Sequence, residues 1–574
     1  MLLVWLAVCA PLVAIQFNAV SRRLLSDPDD FLRLLQVRDL LAGQSWFDVT
    51  QYRVGDGQFL PMHWSRLVDV PLVAAILLAR PFLGATGAET FALLFVPLLT
   101  MLALLAVTKV IVTRLHGPQL GPIVLGCLFA ASAPLVLAQI NPGRIDHHGW
   151  QIVLGAAILA ALLQPNPRRS GLCAGLAAGL LLVISIEGAP AVVAALAVLS
   201  TFWLARQEDG RRLEAMALSL AASTWLASLL ISLASRWSEI ACDAIVPMHL
   251  QALALGAIGL SVLVRFAGNR TLPARLLGLG AVGGIAALPI LLTAPQCVTH
   301  PFGVLDPLVS QMWLANISEA QPFWRQPLPN AVAMLAFPVT GLVGAVLALR
   351  AAEDAEARRR WRITLSLGLL LFLVGALMMR AAGTAQVVAV PGAIVLASRL
   401  RSLSATRLWE RLRPYANALG IVALSPVGPL WFAAAVAPAR AAEPDTFRST
   451  SARQAALRKL AALPPQRILT GIDIAPELLL QTRHSTYAAG YHRLQDRLKA
   501  EIELFTGPAA PARAFMARNG LRYVLVSRRS GEFKLYASEN KHGFGAQLAA
   551  GHPPTWLQPI PLGSNDIRLY RRLD

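Results

Sequence analysis

Long apolar runs separated by short polar segments dominate this chain. A helix needs roughly 20 apolar residues to cross a bilayer, and thirteen runs approach or exceed that length. A further run, 70–83, is shorter and contains Pro71 and Pro81, which predicts a helix in the membrane interface. The predicted spans are 1–20, 89–112, 119–139, 149–165, 171–187, 190–205, 213–235, 248–266, 273–293, 329–350, 362–380, 384–399 and 417–437.

The composition is that of a polytopic membrane protein. Hydrophobic residues make up 56% of the chain and charged residues only 14%, whereas about a quarter of a soluble domain is charged. The net charge of +19 comes mainly from arginines in short loops, where basic residues mark the cytoplasmic side. We therefore expect the lipid bilayer, and no nucleic acid, as a partner.

The loops that alternate along the chain differ sharply in basic residues. Those on one side carry twenty lysines and arginines, and the short loops on the other side carry four. The first side is therefore predicted to be cytoplasmic. This assignment places loops 21–88, 140–148 and 294–328, together with the C-terminal tail, outside the membrane.

The tail differs from the rest of the chain because it alternates short apolar stretches with amphipathic ones. We predict a transmembrane domain over 1–439, an outer-face α/β domain over 440–574, and a linker over 438–454. The predicted strands are RILTGIDIAPELLL and LRYVLVSRR, and the predicted helices are YHRLQDRLKAEIELF and PARAFMARNG.

The five cysteines include no CxxC pair, which argues against a zinc ribbon or a redox motif. Cys242 and Cys297 fall in predicted outer loops, whereas Cys9, Cys127 and Cys173 fall in predicted spans. Outer compartments are oxidising, so a Cys242–Cys297 disulfide is predicted.

Three polar islands interrupt the apolar pattern, all on the predicted outer side. They are Asp29 in SDPDDFLRLLQ, Asp146 and His148 in NPGRIDHHGWQ, and Glu319 in LANISEAQPFW. Ionisable groups beside hydrocarbon are costly unless they have a function. Carboxylates bind Mg²⁺ and Mn²⁺, and Mn²⁺ also accepts imidazole. These four side chains therefore form a candidate metal site.

Each of these residues also has an ordinary structural interpretation. Asp29 suits a helix cap, Asp146 an ion pair with Arg144, and Glu319 an ion pair with Arg325. The histidine suits a polar position at the membrane surface. The shared face of the three islands favours the functional interpretation over these alternatives.

The islands resemble motifs of the catalytic subunits of oligosaccharyltransferases. DPDDFLRLLQVRDLLAG is similar to the first acidic motif of that family, which places the motif's aspartates on Asp29 and Asp39. RIDHHGWQ resembles the second motif in its Asp-His-His form, which implies that Asp146 and His148 are metal ligands.

Two later segments extend this resemblance. NISEAQP is similar to the family's Ser-Glu-His-Gln-Pro stretch and implies a metal-linked role for Glu319. ALMMRAAGTAQVVAVP is similar to a segment near the outer end of helix eleven, whose arginine would be Arg380 and would contact the donor phosphate.

The resemblance implies a mainly α-helical GT-C membrane fold with about thirteen transmembrane helices and a small outer C-terminal α/β domain. It implies a glycosyltransferase that moves a sugar or oligosaccharide from a polyprenyl-pyrophosphate donor to an acceptor on the outer face, with Mn²⁺ or Mg²⁺ as cofactor. Asp29, Asp146, Glu319 and Arg380 would be catalytic. The metal ligands would be Asp29, Asp146, His148 and Glu319.

The resemblance implies these roles in the departure of the phosphate. A bound metal would neutralise charge on the leaving phosphate, Arg380 would clamp that phosphate, and Asp29 would orient or deprotonate the acceptor. Arg144, His147 and His63 are candidates to position these catalytic and metal-binding side chains. The resulting localisation is the bacterial inner membrane, with a periplasmic C-terminal domain.

The tail departs from the family, because the WWDYG motif that reads the glycosylation sequon does not occur in 440–574. The nearest aromatic stretch is STYAAGYHR. The acceptor therefore stays open between a glycan, a lipid and a protein. Two other functions also stay open: a polyprenyl-monophosphate-dependent sugar transferase, and a non-catalytic polysaccharide transporter or flippase, which would require charged residues near the bilayer midplane.

Overall fold

Every predicted span overlaps a helix in the computed structural model, which describes residues 1–55, 57–206, 210–231, 237–300, 302–407, 409–437 and 450–573. The helices described before residue 438 are Leu2–Ser21, Pro28–Leu41, Asp69–His116, Leu120–Ser132, Pro134–Leu137, His148–Leu162, Pro167–Ile184, Ala189–Leu204, Arg211–Ile231, Pro247–Ala267, Leu272–Thr293, Pro307–Met312, Leu328–Ala351, Ala355–Leu377, Met379–Arg407, Arg413–Leu424 and Gly428–Val436.

Among the described residues, ten helices are long and apolar enough to cross a membrane, or eleven if a bent pair counts as one span. Two shorter apolar helices, Leu120–Ser132 and His148–Leu162, occupy the two remaining predicted positions. The mainly helical, polytopic fold expected from the sequence is confirmed.

Glycine and proline break several of these helices. The predicted interfacial segment 70–83 is helical and is separated from the following span at Gly84, where φ is +67°; L side chains rarely adopt this conformation. The last predicted span, 417–437, was wrong as a single helix. It consists of two helices bent by 76°, because Pro426 and Pro429 disfavour a continuous helix.

The arginine-rich loops that were assigned to one side meet at one end of the helical bundle. Arg212 Nη1 lies 2.9 Å from the carbonyl oxygen of Gln164, and Arg359 Nη2 lies 3.1 Å from the same oxygen. The helix His148–Leu162 starts at the other end of the bundle, where the polar islands meet. The two sets of loops are therefore separated as the charge pattern predicts.

The described residues form seven strands, two in the first outer loop and five in the C-terminal region. The strands are β1 Thr50–Gln51, β2 Leu60–Pro61, β3 Arg467–Thr470, β4 Ser485–Thr486, β5 Tyr523–Ser527, β6 Leu557–Ile560 and β7 Ile567–Arg572. Strand β1 pairs with β2. The other five form a mixed sheet in the order β4-β3-β5-β7-β6. Strand β3 is parallel to β4 and β5, whereas β7 is antiparallel to β5 and β6.

Helices surround this sheet, and one of them corrects the sequence prediction. The segment 467–480 was predicted as one strand, but only its first four residues are extended and Ala475–Gln481 is helical. Most of the predicted linker, 438–449, lies outside the described residues. The helices of the C-terminal region are Ser451–Ala461, Ala475–Gln481, Gln495–Thr506, Ala509–Arg518, Gly531–Glu539 and Phe544–Ala550.

The C-terminal region shares a hydrophobic core with the first outer loop. Phe31 and Leu34 of helix Pro28–Leu41 belong to the same buried cluster as Leu479 and Tyr491. Arg53 adds hydrogen bonds to backbone carbonyls at the end of helix Ala475–Gln481. This packing holds the segment around residue 491 against the outer end of the membrane helices.

Candidate active site

The first acidic island is held at the start of helix Pro28–Leu41. Asp27 caps this helix, because its Oδ1 accepts a hydrogen bond from the backbone N–H of Asp29 at 2.9 Å. The capping role considered for Asp29 therefore belongs to Asp27. Acidic residues in a first turn are also favoured by the helix dipole. The carboxyl group of Asp29 is left to face the cavity beyond the helix end.

Arg144 joins the first two islands. Its Nη1 lies 2.6 Å from Asp27 Oδ2 and 3.0 Å from Asp30 Oδ2, and its Nη2 lies 2.7 Å from Asp146 Oδ2. The pairing of Asp146 with Arg144 that was considered from the sequence is therefore present. It orients Asp146 and brings it beside Asp29.

The second island places a histidine at the start of a membrane helix. Asp146 Oδ1 accepts from the backbone N–H of His148 at 2.9 Å. His148 Nδ1 lies 2.9 Å from Gln151 Oε1, one helical turn further along. Since an amide carbonyl accepts, Nδ1 is the protonated nitrogen. In the neutral ring, the lone pair of Nε2 is left for a metal.

Three of the four predicted metal ligands converge. Asp29, Asp146 and His148 each offer a ligand atom, and these atoms lie within 4.8 Å of one another. Glu319 lies outside this group, but its Oε2 is 3.8 Å from His148 Nε2. The pairing of Glu319 with Arg325 that was considered from the sequence is not seen; Arg325 donates to Gln321 instead.

The site opens into a cavity of about 210 Å³. Asp146 does not line this cavity, since it lies beneath it against Arg144. The predicted residues Arg380, His147 and His63 line the cavity. Asp39 does not line it, and its side chain accepts a hydrogen bond from Gln51. The cavity is lined by carboxyl, imidazole and aromatic groups that include Asp27, Asp29, His63, Trp64, His147, His148, Glu187, Glu319, Arg380, Asp473, Tyr491 and His492.

Glu187 is a member of the site that the sequence analysis missed. It is the partner of Arg380 in an ion pair, and its Oε2 lies 3.7 Å from His147 Nε2. Together with His147 and His148 it forms a second group of ligand atoms within 4.8 Å. An acid at the outer end of an apolar run, as in VISIEGAP, was the available signal.

The C-terminal region contributes two further residues that were missed. Tyr491 donates a hydrogen bond from its hydroxyl to Asp29 Oδ1 at 2.8 Å, and Asp473 lines the same cavity. Their sequence separation from Asp29 exceeds 400 residues, and no local pattern reports such a contact.

The electrostatics of the outer loops favour bound cations. Burial, together with the nearby charges of Asp27 and Asp146, raises the pKa of Asp29 to about 7. Burial also raises the pKa of Asp473 to about 6. For Asp146, burial alone would raise the pKa, but Arg144 and the neighbouring histidines outweigh it and hold the pKa below its usual range.

Solved structures of known function share this architecture. The archaeal oligosaccharyltransferase AglB from Archaeoglobus fulgidus, in complex with an inhibitory peptide and a dolichol-phosphate, matches 96% of this chain and 72% of its own at 14% identity, with a TM-score of 0.66. The chain has the GT-C membrane fold. The same archaeal enzyme in complex with Zn and sulfate matches 99% of this chain and 73% of its own at 14% identity, with a TM-score of 0.62.

The same enzyme tethered to an acceptor peptide with an NVT sequon matches 96% of this chain and 71% of its own at 16% identity, with a TM-score of 0.65. No protein-family profile matches the chain, and no curated protein matches it. At this level of identity the comparison establishes the fold, and the fold expected from the sequence motifs is confirmed.

Proposed function

We propose that this protein is a metal-dependent glycosyltransferase that moves a sugar or oligosaccharide from a polyprenyl-pyrophosphate donor to an acceptor at the outer membrane face. The observation that carries the proposal is the convergence of Asp29, Asp146 and His148 within 4.8 Å. Arg380 and Glu319 line the adjoining cavity. The carboxylates and the imidazole can hold a metal ion, and the guanidinium of Arg380 can bind a phosphate. Both positive charges suit a donor whose leaving group is an anion.

The donor set fits Mn²⁺ or Mg²⁺. Asp29, Asp146, His148 and Glu319 would hold the ion, as hard oxygen ligands with one imidazole do for Mn²⁺. Glu187 Oε2 and Glu319 Oε2 are buried and have no hydrogen-bond partner among the described residues. Carboxylate oxygens in that state favour a cation nearby. The ion would supply a positive charge that stabilises the departing phosphate.

Arg380 would bind the donor phosphate. It is paired with Glu187, yet its Nε is buried without a hydrogen-bond partner among the described residues. A guanidinium carries five N–H donors, so it can hold Glu187 and a phosphate oxygen together. Arginine suits this task because its planar fork matches phosphate geometry.

An apolar cavity of about 460 Å³ among the membrane helices would take the donor's lipid tail. Ile186 lines it and precedes Glu187, the partner of Arg380. A polyprenyl chain lying there would bring its phosphate to the arginine. The dolichol-phosphate in the archaeal oligosaccharyltransferase complex supports a lipid-linked donor for this fold.

The acceptor is a glycan, a lipid or a protein group that reaches the outer end of the bundle. We place the protein in a bacterial inner membrane with its C-terminal region in the periplasm; the arginine distribution supports the outer position of that region. That region lines the cavity through Tyr491 and Asp473, so it would help to hold the acceptor.

The proposal is tested with Asp29→Asn in protein reconstituted into nanodiscs. The asparagine still accepts from Tyr491 but lacks the charge that a metal requires. We expect Mn²⁺ binding, measured by calorimetry and electron paramagnetic resonance, to be lost. Transfer of labelled sugar from extracted polyprenyl-linked donors should fall at least ~100-fold, in line with typical losses of an essential polar group.

Asp39→Asn is the matched control, because Asp39 lies on the same helix and its side chain accepts a hydrogen bond from Gln51 outside the cavity. It should keep both binding and transfer. Full activity of Asp29→Asn, or of the wild type in excess chelator, contradicts the metal-dependent mechanism. Turnover of polyprenyl-monophosphate donors alone would favour the monophosphate-dependent alternative.

A further inference from the structure

A carboxylate–imidazole pair lies on the C-terminal side of the same cavity. His492 Nε2 is 2.7 Å from Asp243 Oδ2, and both side chains are buried, with 6% and 7% of their surface exposed. Asp243 belongs to the outer loop before helix Pro247–Ala267. His492 lines the cavity that also contains Asp29, Glu319 and Arg380. None of the roles proposed above uses this pair.

The geometry fixes which nitrogen of His492 carries a proton. Because Asp243 Oδ2 accepts, Nε2 carries a proton, so the neutral ring has its lone pair on Nδ1. Nδ1 has no hydrogen-bond partner among the described residues. An imidazole held in this way is a proton acceptor whose cationic form is stabilised by the carboxylate behind it.

Asp243 is kept ionised by its neighbours. Burial would raise its pKa, but hydrogen bonds from His492 and Arg493 outweigh burial and hold the pKa well below the usual range. Arg493 contacts both carboxylate oxygens, with Nε 2.8 Å from Oδ2 and Nη2 2.7 Å from Oδ1. The adjacent disulfide, Cys242–Cys297, has a Cα–Cα distance of 5.0 Å and confirms the predicted bridge. It anchors the loop that carries Asp243.

The other groups that face His492 are one histidine and two aromatic rings. The ring centroid of His63 lies 5.4 Å from that of His492, and His63 Nδ1 lies 3.8 Å from Asp243 Oδ2. Phe302 and Trp313 lie 5.1 Å and 6.0 Å away, centroid to centroid. The charged groups around the imidazole are therefore Asp243 and Arg493. The aromatic walls limit the access of water.

Asp29 has other partners in the proposed site. Its Oδ1 accepts a hydrogen bond from Tyr491, and its carboxylate would bind the metal. Both interactions occupy carboxylate oxygens that an acceptor hydroxyl would otherwise use. The cavity of about 210 Å³ is smaller than the roughly 300–1,000 Å³ typical of ligand pockets. Asp29 and His492 both line this cavity.

We propose that His492, supported by Asp243, is the general base that removes the proton from an alcohol acceptor such as a glycan or glycolipid hydroxyl. This inference rests on the proposed glycosyl transfer and narrows its acceptor to an alcohol. The acceptor oxygen forms a bond to the donor's anomeric carbon. The bond from that carbon to the phosphate oxygen breaks, and its electron pair leaves with the phosphate. The hydroxyl proton passes to His492 Nδ1.

The decisive variant is His492→Gln. The amide can still donate to Asp243, so the contact is preserved, but it cannot accept a proton as imidazole does. In nanodisc-embedded protein with extracted polyprenyl-linked donors, we expect kcat for transfer to an octyl glycoside to fall about 100-fold or more, the usual range for losing a general base. KM and thermal stability should change little.

Two further measurements separate catalysis from a structural role. His492→Ala should regain a measurable part of its activity when imidazole is added to the assay, because the small base can occupy the vacated position. His552→Gln, an exposed histidine of the same region, should behave as the wild type. A soluble trisaccharide acceptor in place of the octyl glycoside distinguishes a glycan acceptor from a glycolipid acceptor.

The outcomes distinguish failure of this inference from failure of the proposed function. Transfer by His492→Gln within threefold of the wild type, or no rescue of a folded His492→Ala by imidazole, overturns the base assignment. If the wild type transfers sugar to an Asn-containing peptide but to neither alcohol, the base assignment is also overturned. The proposed glycosyltransferase function would still hold in that case. If the wild type leaves every donor unchanged, the proposed function fails.

Discussion

Arg144 is the residue on which the arrangement of the candidate site depends most, and Arg144→Gln measures that dependence. One guanidinium contacts the carboxylates of Asp27, Asp30 and Asp146 at 2.6–3.0 Å. It also donates to Gln139. Glutamine keeps a polar side chain but removes the charge. The three carboxylates would then lose their shared positive charge and repel one another.

The cost follows from burial. Arg144 is 8% exposed, and Asp30 and Asp146 are 0% and 4% exposed. Removing one partner of a buried ion pair typically costs about 3–5 kcal/mol, because the remaining charge is left uncompensated. At about 2.1 cal/mol/K of unfolding entropy per residue, this corresponds to a fall in Tm of roughly 2.5–4 °C for 574 residues.

The effect should depend on pH. In the wild type, Arg144 holds the pKa of Asp146 below its usual range even though burial raises it, so this stabilisation is fully present above pH ~4. Without Arg144, burial dominates and the folded-state pKa rises. Lower pH then stabilises the folded variant by protonation. The difference in Tm between wild type and variant should therefore be larger at pH 8 than at pH 5.5.

Thermal unfolding in detergent, followed by tryptophan fluorescence at both pH values in the presence of chelator, provides the measurement. Arg325→Gln is the control, because Arg325 is an exposed outer-loop arginine that donates to Gln321; its Tm should stay within 1 °C of the wild type. An Arg144→Gln protein with an unchanged Tm at pH 8, or a difference that grows toward pH 5.5, would refute the reasoning.

Two further predictions concern metal binding and topology. Since the pKa of Asp29 is raised to about 7, protons compete with Mn²⁺ below that pH. Calorimetry should show affinity rising at least about tenfold per pH unit from pH 5.5 to 7, and a flat profile would show that Asp29 is not a ligand. A reporter at the C terminus should report the outer side and one inserted at 352–354 the cytoplasmic side; the reverse result would place the site at the wrong face.

The sequence alone determined the membrane helices and their order, because each must carry enough apolar side chains to replace water with hydrocarbon. Local chemistry also marked Asp29, Asp146, His148 and Glu319 as candidate site residues, since ionisable groups at the ends of apolar runs are conspicuous. Helix interruptions were harder to locate. Pro426 and Pro429 break the last span because the backbone there cannot continue a helix, although the apolar pattern runs through them.

Only the tertiary structure decided which groups face one another. Arg144 joins two islands 114 residues apart, and Tyr491 meets Asp29 across 462 residues. Glu187 and His492 joined the cavity in the same way, and Asp243 pairs with His492 across 249 residues. Such contacts depend on how helices and the C-terminal sheet pack, and packing is a property of the whole chain. Periodicity reports which face of an element is buried, but not which distant element covers it.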